Sequence, residues 1–188
     1  LVNFIHHVSQ IIQINNIVDL VARRTEAAID DVLPVRLAPG EPPAIPSHAA
    51  PHDDALSIES RRSGYIQSID VPWLEHVAAH HGVWLQLLLP SGGFATRDVA
   101  LMAARPADRV SARLVDDCLA ALRIGPVRTI HQDPEFGIRL LVDIALRAIS
   151  PAVNDPSTAY TCVQQLGRLL VHAVGRHDPS SLQAETAA

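Results

Sequence analysis

Lysine is absent from this sequence of 188 residues: the fifteen basic residues are all arginine. Alongside abundant alanine and valine, that absence is a coding bias and carries no chemistry. The formal net charge is -5, and no run of like charges is long enough to track a phosphate backbone, so nucleic acid is not an expected partner. Cysteine is scarce. Cys118 and Cys162 stand far from the paired spacings of zinc or redox motifs, each within an apolar periodic segment, and are expected to be small buried thiols. Uninterrupted apolar runs of about 18 residues are also lacking, so no segment is expected to cross a bilayer by itself. The sequence has no nucleophile elbow, no glycine-rich phosphate loop and no HExxH pair. Enzymatic chemistry, a cofactor and a metal are therefore not expected. His76 and His80 lie four apart on an expected helix, but two imidazoles are too few for a zinc site.

What is present suits one compact domain, or a domain with an appended helix: 48% of residues are hydrophobic and 19% charged. The chain begins at Leu1 with LVNFIHHV, which already reads as the interior of a helix, and is expected to be a piece of a longer protein. Apolar residues recur at helical spacing over 1–33 (Ile5, Val8, Ile12, Val18, Val21, Ala28, Val32) until Pro34. One helix of roughly 50 Å would serve as a stalk, a coiled-coil contact or the continuation of a membrane helix. Two shorter helices broken near Asn15–Asn16 fit equally. The proline-rich stretch 34–54 reads as a linker.

The period then changes. Over 55–104 the spacing predicts a small β-rich module, a sheet or partial barrel, with strands near 55–60, 64–69, 83–89 and 94–103. One helix, 71–81, is capped by Asp70 and ended by Gly82, and Ser91-Gly92-Gly93 reads as a hairpin turn. Over 105–177 three helices are predicted, from Pro106 to about Arg123, from Asp133-Pro134 to Ile149, and from Asp155-Pro156 to about Arg176. Residues 178–188 are expected to form a disordered tail. The class is α+β, with a long N-terminal helix, a small antiparallel β module and a C-terminal three-helix unit. The segment from Glu135 to Ile149, apolar on nearly every side, is expected at its centre.

Glu135, Arg139, Asp143 and Arg147 alternate in sign at four-residue steps, so neighbours can pair along one drifting stripe. With Arg128 and the corner Ser150–Asp155, the stripe is a candidate site for a small charged ligand, its residues being Arg128, Arg139, Asp143, Arg147, Asn154 and Asp155. A structural ion-pair ladder explains the same stripe. A turn and helix cap likewise explain Asn154 and Asp155.

The run RTIHQDPEFGIRLLVDIALRAISPAVNDPSTA (Arg128–Ala159) resembles a bacterial family of predicted membrane proteins catalogued as a domain of unknown function. FIHHVSQIIQ (Phe4–Gln13) and SGYIQSID (Ser63–Asp70), followed by the turn and Phe94, fit it too. Departures fall at Gly93, Leu140, Ala152 and Ser157. The resemblance implies transmembrane helices, even in number, followed by a soluble portion corresponding to this chain. Its partner would be its own membrane region, at the inner membrane of a bacterium and on the cytoplasmic face. A non-enzymatic, homo-oligomeric regulatory or assembly domain is the resulting expectation. A sensor or enzyme with a charged pocket, and a gating domain of a channel or transporter, are the alternatives.

Overall fold

The structure is a computed structural model that describes residues 2–33, 35–36, 54–174 and 176–177. Most of the expected linker and the whole expected tail lie outside the described residues. Helix α1 (Val2–Val32) is followed by strands β1 (Val35–Arg36), β2 (Leu56–Glu59) and β3 (Gly64–Ile69), helix α2 (Val71–His81), and strands β4 (Trp84–Leu87), β5 (Phe94–Ala95) and β6 (Ala100–Arg105). A 3-10 turn (Ala107–Arg109), α3 (Ala112–Ala120), β7 (Leu122–Gly125), α4 (Pro134–Ala148), α5 (Pro156–Ala173) and β8 (Arg176–His177) complete the order. The architecture is α+β, as the sequence predicts.

Helix α1 runs without a break at Asn15–Asn16, where both residues are exposed and cost the core nothing. From Val18 onward it is no free stalk. Val18, Val21, Ala22, Thr25, Ala28 and Ile29 form a buried stripe at helical spacing, and this face packs against both α4 and α5. Val18, Val21, Ala22, Ile29, Leu141, Cys162 and Leu169 make up one core.

A second core fills the β module. Two open three-stranded antiparallel sheets, ordered β2-β6-β4 and β5-β3-β7, pair Ile58 with Met102, Leu85 with Ala104 and Ile69 with Leu122. Ile58, Ile66, Leu74, Leu85, Leu101, Met102, Leu114 and Cys118 lie at its centre. The short pair β1-β8 ties the chain after α1 to the chain after α5.

Three sequence expectations need correction. The helix expected from Pro106 to Arg123 is instead extended backbone at Pro106, a 3-10 turn, a short helix and a strand. Ser111, whose side chain accepts from Leu114 N at 3.2 Å, is the effective cap. Leu122–Gly125 forms a strand because β3 offers it an open edge. Consequently α3 joins the β core through Leu114 and Cys118, and α1 takes the third place beside α4 and α5. The turn at Pro90–Gly93 is not a hairpin: β4 pairs with β6 and β5 with β3, so the turn carries the chain from one sheet to the other. Finally, α4 is not central. Gly137, Leu141 and Ala148 are buried, while Leu146 and Ile149 are 58% and 59% exposed.

Candidate functional site

The α4 N-terminus is where the β module and the helical unit meet. Asp133 caps the helix, its Oδ1 accepting from Phe136 N at 2.9 Å. Its carboxylate is almost fully buried and is met by Arg128, whose Nε donates to Oδ2 at 2.5 Å and Nη2 to Oδ1 at 3.1 Å. This two-point pairing gives a buried carboxylate the partner it requires. The hydrogen bond to Asp133 holds the Arg128 guanidinium above its ordinary pKa, against the desolvation that burial brings. The same guanidinium lies 5.3 Å from the centre of the Phe136 ring and 3.9 Å from Glu135.

Gly92 completes the joint from the β side. Its φ of 81° favours glycine, and a Cβ there would fall 2.0 Å from Asp133 Oδ2. Gln132 fastens the next layer. Its Oε1 accepts from Ile69 N at 2.7 Å and Ser91 Oγ at 3.3 Å, and its Nε2 donates to Ile69 O at 3.2 Å. Gln67 Nε2 donates to Val127 O at 2.8 Å. Sequence reasoning identified Asp133 as a cap and Arg128 as a candidate, but missed Gln132, Gly92 and Gln67. The only local signal for the pair is an arginine five residues ahead of an Asp-Pro cap.

Beside this joint an open cleft of about 860 Å³ runs between α1 and the segment 128–140. Ala27, Ile130, Phe136 and Leu140 give it an apolar lining, and Arg24, Asp30, Asp31, Arg128 and His131 add charged and titratable groups. Thr129 Oγ1 is buried without a hydrogen-bond partner. An ion network joins α1 to α5 and reaches the cleft at Asp30: Arg168 Nη1 meets Glu26 Oε2 at 2.5 Å and His172 Nε2 meets Asp30 Oδ1 at 2.8 Å. Arg176 Nη1 meets the same Asp30 oxygen at 2.5 Å. The hydrogen bond from His172, with the nearby Arg176 charge, holds the Asp30 carboxyl below its ordinary range.

The six sequence-selected residues fall in three places. Arg128 lines the cleft. Arg139 and Asp143 pair with each other on the exposed face of α4 at 3.3 Å, and Arg147 is also exposed. Asn154, with φ 49°, donates its N–H to Ser150 O at 2.8 Å in the corner between α4 and α5. Asp155 caps α5, accepting from Thr158 N at 3.2 Å, Thr158 Oγ1 at 2.5 Å and Ser157 Oγ at 2.6 Å. The Ser157 and Thr158 hydroxyls hold its carboxyl below the ordinary range.

His76 and His80 stack at 6.3 Å, and among the described residues no three His, Cys, Asp or Glu side chains converge as a metal site. Both cysteines are fully buried thiols; burial foremost, with the Asp117 charge, pushes Cys118 up to about 11. No described helix is long and apolar enough to cross a membrane.

Comparison with known proteins gives the context for this geometry. The family model described as predicted membrane protein (DUF2254) matches residues 1–187. Uncharacterized proteins of Mycobacterium bovis and Mycobacterium tuberculosis are 32% identical over 191 residues, covering 100% of this chain. The chain spans 36% of the length of those relatives. No solved structure matches.

Proposed function

The chain belongs to the DUF2254 family of predicted membrane proteins, and from that membership we propose that it is an extramembrane assembly domain through which a bacterial membrane protein associates with further copies of itself. Regulation of the membrane region, placement at the cytoplasmic face of the inner membrane and a non-catalytic role belong to the same proposal. One observation carries it: the outer side of the helical unit is apolar. On α5, Tyr160, Val163, Leu170 and Val171, and Val174 at its C-cap, are each at least 59% exposed, and at the end of α4 so are Leu146 and Ile149 to a similar degree. Monomeric proteins rarely leave so many large apolar side chains on adjoining helices uncovered. Native mass spectrometry and light scattering across a concentration series test the reading. A closed oligomer is expected, and a Val163→Glu/Val171→Glu variant that keeps its circular dichroism but becomes monomeric supports it. A chain monomeric at every concentration rejects it.

A second reading has its own observation. The cleft combines an apolar lining with charges of both signs, Arg24 and Arg128 beside Asp30 and Asp31, and with a Thr129 hydroxyl that has no partner among the described residues, which suits a small zwitterionic amphipathic ligand. An adduct mass retained by the native chain and lost in Arg24→Ala supports this reading, and an adduct-free mass opposes it.

A further inference from the structure

Resting on the assembly reading, we propose that two copies of the chain associate through α5, crossing at Gly167 so that the two helix backbones come closest there.

The first ground is a helix-interior glycine that no contact among the described residues explains. Glycine is unfavourable in a helix interior relative to alanine. Gly167 occupies the interior of α5, and a Cβ added there meets no atom within 4 Å. The contrast within the same fold is Gly137, in α4, where an added Cβ would fall 2.0 Å from Thr25 Oγ1 of α1. Gly137 is the small residue that lets α1 and α4 approach. Gly167 has no such neighbour among the described residues, and a second helix would supply one.

The second ground is the pattern around it. Tyr160, Val163, Gly167 and Leu170 follow one another at alternating steps of three and four, the spacing of a helix seam, with Val171 beside it and Val174 continuing the spacing at the helix cap. All of these side chains apart from the glycine are exposed. The nearest charged residue on that side, Arg168, is engaged with Glu26 of α1.

The third ground selects the partner. The stripe carries no charge of either sign, so two identical stripes meet without repulsion and a partner of opposite charge has nothing to recognise. Four of its apolar positions also mirror about Gly167, with Val163 and Val171 four residues to either side and Tyr160 and the cap residue Val174 seven to either side, while Leu170 falls opposite Gln164. A surface that matches itself under a two-fold rotation is what an isologous contact requires.

The test uses the whole chain with Gly167→Leu and Gly167→Cys, analysed by native mass spectrometry, sedimentation and circular dichroism. Gly167→Leu should fold at least as stably as the natural chain, because the space around the position is open, yet weaken dimerisation more than about thirtyfold. Gly167→Cys should form a disulfide between copies under mild oxidation, since that bond needs Cα atoms within about 7 Å; Cys118 and Cys162 are both fully buried and give no background. A natural chain that is monomeric overturns this inference together with the assembly reading. A dimer that survives Gly167→Leu and yields no Gly167→Cys disulfide overturns the crossing alone. A monomer that cosediments with phosphatidylglycerol vesicles, and loses that binding in Val163→Glu/Val171→Glu, assigns the stripe to lipid and also overturns it.

Discussion

Asp133 does two jobs with one carboxylate, capping α4 and neutralising Arg128. Arg128→Ala leaves that charge buried and unpaired, and should cost about 3–5 kcal/mol in urea unfolding. Gly92→Ala acts from the other side. It places a methyl group against Asp133 Oδ2 in a backbone conformation with positive φ, and should destabilise by roughly 1–3 kcal/mol. Asp155 makes a prediction with pH. Its carboxyl is held low by Ser157 and Thr158, so its contribution is present above the unfolded value of about 3.9. That contribution is lost as pH falls through the lower folded value. Between pH 7 and 3, Asp155→Asn should show a shallower fall in melting temperature than the natural chain. Equal slopes would mean that the cap contributes nothing through its charge.

At the level of elements, the boundaries written by local chemistry were legible. Asp-Pro starts of α4 and α5, and the Asp70 and Gly82 ends of α2, need only a side chain and its own backbone. What could not be read was set by distant partners. The strand Leu122–Gly125 exists because β3 has a free edge, and α3 joins the β core because Leu114 and Cys118 find it. Among the site residues, Arg128 stood out by charge, whereas Gln132 is an ordinary glutamine until folding brings Ile69 and Ser91 to it. Gly137 likewise shows its purpose only against Thr25. Gly137→Ala should destabilise by about 1–3 kcal/mol through overpacking, with part of the loss recovered in Thr25→Ala/Gly137→Ala. Simple additivity of the two changes in chemical denaturation would show that they do not touch.

Across the whole molecule, the side-chain hydrogen bonds at the joint between the two cores come, among the described residues, from the Arg128–Asp133 pair, Gln132 and Gln67. Gln132→Ala deletes three hydrogen bonds at one point of that joint. Amide exchange should then resolve the β module and the helical unit as separately opening bodies. Retention of one common opening rate would mean that the remaining contacts suffice.

Helix α1 also has a mechanical aspect. Its inner half, from Val18 onward, is packed against α4 and α5 with Thr25 set against Gly137, and the helix runs unbroken from Val2, so about 24 Å of helix precedes the packed part. Sideways displacement by ~1 Å at the far end tilts the packed part by only about 2° at that length. Sliding is another matter. Advancing the helix by one residue, about 1.5 Å, and restoring its register demands a rotation of about 100°. Thr25 faces Gly137 in this rotational setting, so a one-residue slide of α1 without that rotation takes the side chain out of its slot.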